Sequence, residues 1–273
     1  MKTIFFKERW YDSKEALWSA ENRAFKYGDA LFETISFDND KIWFVEQHLN
    51  RLSKACTILK MDIPEGLDEA KINIAWQSFS TKNKATYGSI RLQVFRKNGH
   101  KYAPRGEESD YVIEFNLHQS CLFGSKSKGQ SAISFKEHTI QSESVLSNIK
   151  SSNSLIYILA KEQALQQKKD DCVLYNNKGQ LAEMSSSNLY LDFGDQIITP
   201  PLQSGCLDGV TRKILLLQNK IPIIEEELNL KDLKKAKSVY SSNAIEGLKW
   251  YSTVDDFRFS KGKVDQLNLL LRS

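Results

Sequence analysis

Lys150 sits in the run Asn148-Ile149-Lys150-Ser151-Ser152-Asn153. Glu183 sits in the run Leu181-Ala182-Glu183-Met184-Ser185-Ser186-Ser187-Asn188, one expected helix and one expected hairpin later. A lysine amine can hold an aldehyde covalently, and a carboxylate can keep a pyridine nitrogen protonated. Together they suit a pyridine aldehyde that accepts electrons from a bound amine. Taken singly, Lys150 also reads as a solvated residue at a helix start, and Glu183 as a carboxylate at a strand end.

Three further sites have anion chemistry. Arg51 can grip a phosphate dianion with two parallel N–H groups. Gly209 precedes Val210, Thr211 and an apolar helix, so backbone amides can approach a phosphate, with the helix dipole and the Thr211 hydroxyl adding attraction. The turn Ser241-Ser242-Asn243-Ala244 offers hydroxyl, amide and backbone donors. Alone, each has a plain structural reading: a surface arginine, an N-terminal turn, a polar turn.

The elements that must position these residues follow from periodicity. Ala30 to Phe37 and Lys41 to Phe44 read as a hairpin turning at Asp38-Asn39-Asp40. Val45, Leu49, Leu52, Cys56 and Leu59 then give a helix one buried stripe, with His48 and Arg51 on an adjoining face. Ser89 to Phe95 and Tyr111 to Asn116 read as strands around a polar loop, Arg96 to Asp110. Gly124 to Gly129 reads as a linker or long turn, and a second α/β unit begins near Ser131. Leu155, Ile158, Leu159 and Leu165 mark the helix after Lys150. Cys172 to Tyr175, Gln180 to Glu183, Leu189 to Phe193 and Gln196 to Thr199 read as strands, with a turn at Asn176 to Gly179. Pro200 and Pro201 close the last of these, Lys213 to Gln218 forms a helix, and Val239-Tyr240 a short strand. The expected domains are therefore 1–118, a linker region at 119–130, and 131–273.

Composition narrows the function classes. Among 273 residues, 38 basic and 34 acidic side chains give a net charge of +4 in short mixed runs, which argues against nucleic-acid binding. Cys56, Cys121, Cys172 and Cys206 are scattered without CxxC pairs, so neither a metal site nor a disulfide framework is expected. The apolar run in MKTIFFKERW is short for a signal peptide, and none approaches the ~18 residues of a membrane span. The expectation is a soluble cytoplasmic protein.

Several segments together resemble the class IV, pyridoxal-phosphate-dependent aminotransferases. They are Arg23-x-Phe25-x-Tyr27-Gly28-Asp29-x-x-Phe32-Glu33, His48-x-x-Arg51-Leu52, Lys150-Ser151-x-Asn153, Glu183-x-Ser185-x-Ser187-Asn188 and Leu207-x-Gly209-Val210-Thr211-Arg212. The resemblance runs through nearly the whole chain. It implies a two-domain α/β protein with mixed sheets, the D-amino-acid aminotransferase-like fold type IV, and a homodimer. It makes pyridoxal 5'-phosphate the cofactor, Lys150 the Schiff-base lysine and proton shuttle, and Glu183 the partner of the pyridine nitrogen. Arg51, Val210, Thr211 and Asn243 fall where the family binds the cofactor phosphate, and Ser187 and Asn188 support the ring and phosphate network. Tyr27, Gly28 and Asp29 are expected to shape the start of the first strand of that hairpin.

The family includes branched-chain and D-amino-acid aminotransferases and 4-amino-4-deoxychorismate lyase. The D-amino-acid enzymes carry a tyrosine where this chain has Phe32, and an arginine with a nearby histidine in the segment matching Arg96 to Pro104. Phe32, Arg96, His100 and Lys101 are thus the candidate substrate-binding residues. Gly99 to Pro104 and Ser242 to Gly247 look more like the lyases, which release 4-aminobenzoate and pyruvate. His100 replaces a glycine frequent in those lyases, and Glu246 to Lys249 lacks the Thr-Pro or Arg-Pro pair that usually follows this turn. The lyase reading is favoured; the alternative is a transaminase converting a branched-chain or other L-amino acid to its keto acid. A cofactor-binding protein without turnover is the third reading.

Overall fold

The computed structural model describes residues 2–272 except 16–17, 40, 85, 98, 105, 122 and 125–127. Asp40 of the expected hairpin turn, Asn98 and Arg105 of the polar loop, and Ser125 to Ser127 of the expected linker thus lie outside the described residues. The chain divides into two compact units, one holding 1–121 and Ile149–Asn153, the other 122–148 and 154–273. The expected division kept 131–273 together, whereas the five residues around Lys150 belong to unit 1.

Unit 1 comprises β1 (Lys2–Phe6), β2 (Arg9–Asp12), α1 (Arg23–Tyr27), β3 (Ala30–Asp38), β4 (Lys41–Ile42), α2 (Val45–Leu59), α3 (Glu69–Asn83), β5 (Tyr87–Arg96) and β6 (Ser109–Leu117). Among the described residues its sheet runs β2-β1-β6-β5-β3-β4, with antiparallel neighbours. Strand alternation divides it into two faces. Leu31, Ile35 and Phe37 of β3, Ile90, Leu92 and Val94 of β5, and Ile113 and Phe115 of β6 form one core with Leu52 and Cys56 of α2 and Ile72, Trp76 and Phe79 of α3. The other face carries Phe32, Arg91, Gln93 and Glu114.

The structure shortens one expected strand and adds others. Phe44 has φ of 60° in the left-handed region, so the chain leaves β4 at Ile42 and turns directly into α2. Local sequence pattern gives no assignment for β1, β2, α1 or α3. His48 is fully buried rather than on a face beside the stripe.

Unit 2 comprises β7 (Gln130–Ile140), α4 (Val145–Asn148), α5 (Leu155–Gln166), β8 (Asp171–Asn176), β9 (Leu181–Met184), β10 (Asn188–Asp192) and β11 (Ile197–Thr199). It continues with α6 (Val210–Leu217), β12 (Ile223–Glu225), α7 (Leu230–Lys235), β13 (Ser238–Asn243), β14 (Gly247–Val254), β15 (Phe257–Arg258) and α8 (Val264–Arg272). Among the described residues the sheet order is β12-β11-β10-β13-β14-β7-β8-β9, with β15 on β14. Parallel pairs β7–β8, β7–β14 and β11–β12 sit among antiparallel ones, so the sheet is mixed.

A buried carboxylate ties this sheet together. Asp171 accepts hydrogen bonds from Tyr251 Oη at 2.8 Å, from the Ser185 hydroxyl and from the Cys172 amide, while Tyr251 Oη also meets Ser241 Oγ at 3.0 Å. The network joins the turn after β9 to β13, the two segments that present Ser187 and Asn243. Helix α5 packs through small residues rather than through the large apolar ones that mark it. Ala160 and Ala164 are its buried residues, and Leu155, Ile158, Leu159 and Leu165 are exposed.

Candidate active site

In unit 1, Ile149–Asn153 lies along the first residues of β3. The Phe32 amide donates to Lys150 O and the Ser152 amide to Ala30 O, both at 2.9 Å. Antiparallel pairing puts Lys150 and Phe32 on one side, and Lys150 Nζ lies 4.5 Å from the Phe32 ring centroid. Arg91 Cζ approaches the same ring at 3.8 Å, and burial pulls the Arg91 guanidinium down, with Glu114 opposing. Gln93 Nε2 donates to Ser152 Oγ at 3.4 Å. Arg91 and Gln93 also line a cavity of about 510 Å³ walled by Ile4, Trp18, Phe25 and Val112.

Gly28 keeps the Lys150 segment in place. It ends α1 at φ of 64°, and a Cβ there would lie 2.5 Å from Asn153 Oδ1. Glycine is therefore required twice, for the backbone angle and for the close approach.

On the helix side of the same sheet, Arg51 Nε donates to Glu33 Oε1 at 2.8 Å and Arg51 Nη2 donates to Glu33 Oε2. His48 Nδ1 lies 2.7 Å from Glu33 Oε2. Burial alone would raise the Glu33 carboxyl, but Arg51 and His48 outweigh it and bring it down to about 2. Burial lowers His48, against the opposing pull of Glu33, and its Nε2 is buried with no partner among the described residues. Arg51, expected to grip the cofactor phosphate with two parallel N–H groups, has its Nε/Nη2 edge taken by Glu33.

The other expected substrate residues of unit 1 are placed differently. Arg96 is buried and donates to Asp29 Oδ2 at 3.1 Å, Lys60 O at 2.8 Å, Gly106 O at 3.2 Å and Leu59 O at 2.7 Å. It ties the end of α2 to the end of β5. His100 and Lys101 are exposed in a turn where His100 and Ala103 exchange backbone hydrogen bonds, and Lys101 O accepts from Arg23.

Unit 2 gathers the remaining candidates. Glu183 is buried on β9; its Oε1 accepts from Tyr157 Oη at 2.8 Å and its Oε2 from the Leu207 amide at 3.1 Å. Met184 N donates to Ser187 O, making the tight turn that carries Ser187 and Asn188 into β10. Asn243 Nδ2 donates to Ser187 Oγ at 3.2 Å, and Asn243 Oδ1 accepts from the amides of Ile245 and Glu246. Asn188 Nδ2 donates to Leu207 O at 2.8 Å.

Helix α6 begins at Val210, three residues before the expected start, with Gly209 as its N-cap. Glycine contributes no capping side chain, and a Cβ there would lie 2.0 Å from Asn188 Oδ1. The first-turn amides of Val210 and Thr211 thus begin beside Asn188. Asn148, two residues before Lys150, holds the loop before α6 in place. Its side chain donates to Leu202 O and Cys206 O, and its carbonyl accepts from the Asp208 amide.

Sequence reasoning missed Tyr157 and Arg91 and gave Glu33 no role. Tyr157 had a signal, since with Ala160 and Ala164 it defines the inner line of α5. Arg91 had a weaker one, as a charge inside an otherwise apolar strand pattern.

Comparison with known proteins fits this arrangement. A D-alanine aminotransferase of Listeria monocytogenes serotype 4b is 25% identical over 92% of this chain and 87% of its own. A Methanocaldococcus jannaschii protein provisionally named a branched-chain-amino-acid aminotransferase is 27% identical over 87% and 82%. The crystal structure of a Legionella pneumophila protein, provisionally named a 4-amino-4-deoxychorismate lyase, superposes with a TM-score of 0.85 at 24% identity over 96% of both chains. The sequence profile of the amino-transferase class IV family matches residues 30–249. The chain belongs to that family, whose enzymes work with pyridoxal 5'-phosphate.

Proposed function

We propose that this chain uses pyridoxal 5'-phosphate to cleave 4-amino-4-deoxychorismate into 4-aminobenzoate and pyruvate, with Lys150 as the catalytic residue. The donor set fits the cofactor. Lys150 supplies an amine for the aldehyde, Glu183 a buried carboxylate for the ring nitrogen, and Gly209 a helix start that no side chain caps. In this reading Arg51, the amides of Val210 and Thr211, and Asn243 bind the phosphate, while Ser187 and Asn188 support them. When bound, the cofactor supplies an electron sink for the carbon that bears the substrate amine.

The chain's own residues do the proton work. With the cofactor bound, Lys150 Nζ, freed by the substrate amine, would take the proton from the carbon bearing that amine and would afterwards return to release 4-aminobenzoate. Loss of that proton lets the C–O bond to the enolpyruvyl group break as the ring becomes aromatic. The departing enolpyruvate gains a proton and becomes pyruvate. Glu183 would keep the ring nitrogen protonated, and Arg51 would be oriented by its pair with Glu33.

The observation that carries the lyase reading is the cavity on the Lys150 side of the unit 1 sheet. Trp18 and Phe25 give it aromatic walls suited to a cyclic substrate, and Arg91 gives it a cation suited to a ring carboxylate. The burial of Arg96 supports the same choice, because the cation that would serve D-amino-acid transamination from that segment is spent internally. Transamination is the second reading, favoured by the names of the Listeria and Methanocaldococcus relatives.

A product assay decides between them. The lyase reading expects 4-aminobenzoate and pyruvate in equal amounts from 4-amino-4-deoxychorismate. Keto-acid formation from a panel of L- and D-amino acids, without 4-aminobenzoate, would replace it with the transaminase.

A homodimer belongs to the same proposal. Leu155, Ile158, Leu159 and Leu165 of α5, with Val145 and Leu146 of α4, expose an apolar surface that a second copy would cover. A reducing, cytoplasmic setting is supported by four cysteines that no disulfide joins among the described residues. No described helix is long and apolar enough to cross a membrane, and no described group of His, Cys, Asp and Glu could hold a metal.

A further inference from the structure

We propose that the Tyr157 hydroxyl is a positioning group that sets how strongly Glu183 attracts the proton on the cofactor's ring nitrogen. The inference rests on the reading of Glu183 given above and gives a role to a residue outside the family-like segments. Tyr157 lies on the inner line of α5, seven residues after Lys150, and reaches β9 with Oη 2.8 Å from Glu183 Oε1. The Leu207 amide donates to the other oxygen at 3.1 Å. With one donor on each oxygen, the plane of the carboxylate is fixed before any ligand arrives.

The phenol is held as a donor. Burial, and then the charge of Glu183, push its ionisation far above the ordinary tyrosine range. The titratable groups facing Glu183 within unit 2 also include the Cys206 thiol, which burial pushes up to about 12 and so keeps neutral. A hydrogen bond to an ionised carboxylate favours the ionised form, so Tyr157 makes Glu183 a weaker base than it would be against a phenyl ring. The consequence is graded control. A stronger donor at 157 shifts the ring-nitrogen proton away from Glu183, and a missing donor shifts it toward Glu183.

The test compares the natural chain with Tyr157→Phe and with 3-fluorotyrosine at the same position, whose phenol is more acidic and nearly the same size. In the apoprotein, carbon NMR of labelled glutamate, with Glu183→Gln to assign the signal, reads the titration midpoint of Glu183. The midpoint is expected to rise by about one pH unit in Tyr157→Phe, the equivalent of one charge-assisted hydrogen bond. It is expected to fall with fluorotyrosine. In the loaded protein, the nitrogen NMR signal of labelled cofactor is expected to move away from the protonated form in Tyr157→Phe and toward it with fluorotyrosine. A Glu183 midpoint that ignores both substitutions overturns the proposal. A ring-nitrogen signal unmoved by Glu183→Gln overturns the pairing of Glu183 itself, and the proposal with it, even where the apoprotein titration responds.

Discussion

Glu33 keeps its charge where burial alone would neutralise it, because Arg51 meets both of its oxygens and His48 one of them. Its value falls from 4.5 to about 2 on folding. A carboxyl lowered in this way contributes stability that is present above about pH 4.5 and lost as pH falls toward 2. The shift corresponds to about 3 kcal/mol at most. His48 acts in the same direction: lowered by burial from 6.5, it opposes folding once the pH drops below that value and the unfolded chain binds the proton. The melting temperature is therefore expected to decline from about pH 6.5 downward and more steeply below pH 4.5. Glu33→Gln should be less stable at pH 7 by about 3 kcal/mol, since Arg51 loses its buried counter-charge, but should lack the steep acid component. Parallel pH profiles for the two proteins would show that Glu33 is not the group responsible. The residues of this cluster were legible as a motif, His48 and Arg51 spaced three apart, but not as a cluster. Their partner Glu33 comes from a different element, and no local pattern records that pairing.

Elements were most legible where a side-chain period coincides with one buried face. The stripe of α2 and the strands β3, β5 and β6 are of that kind, and the structure buries Val45, Leu52 and Cys56 as the spacing implies. Helix α5 shows the limit of periodicity. Leu155, Ile158, Leu159 and Leu165 identify a helix correctly, yet its packed side is made by Ala160 and Ala164. Small residues that allow close approach carry little hydrophobic signal, so the larger exposed ones dominate the pattern. Helix α3 went unread although Ile72, Ala75, Trp76 and Phe79 fall at i, i+3, i+4 and i+7 behind the N-cap Asp68; the exposed Ile74 between them blurs the stripe. Gly28 connects element geometry to the site. Gly28→Ala places an L-residue at positive φ and pushes against Asn153, so it is expected to cost about 1–2 kcal/mol, a melting temperature lower by roughly 3–6 °C. Thermal unfolding checks this, and an unchanged midpoint would mean that Asn153 yields without strain.

Across the whole molecule, unit 1 holds the Lys150 segment, and unit 2 holds Glu183 and the start of α6. The exposed face of α5 gives the largest-scale prediction. Replacing Leu155 and Ile158 together with glutamate is expected to convert a dimer to a 31.3 kDa monomer in light scattering. The natural chain already running at monomer mass would remove the homodimer from the proposal. The candidate residues Glu183, Ser187 and Asn188 were legible together because they are continuous in sequence and fold around one tight turn. The division of the chain was less so, because the Lys150 segment pairs with β3 across most of unit 1's length. That pairing sets an order on how the protein comes into being. A nascent chain still shorter than residue 149 holds Phe32, Arg91 and the aromatic walls of the cavity, yet it lacks the segment that pairs with the start of β3. The last pairing of unit 1 is thus made only after the chain has run on into unit 2.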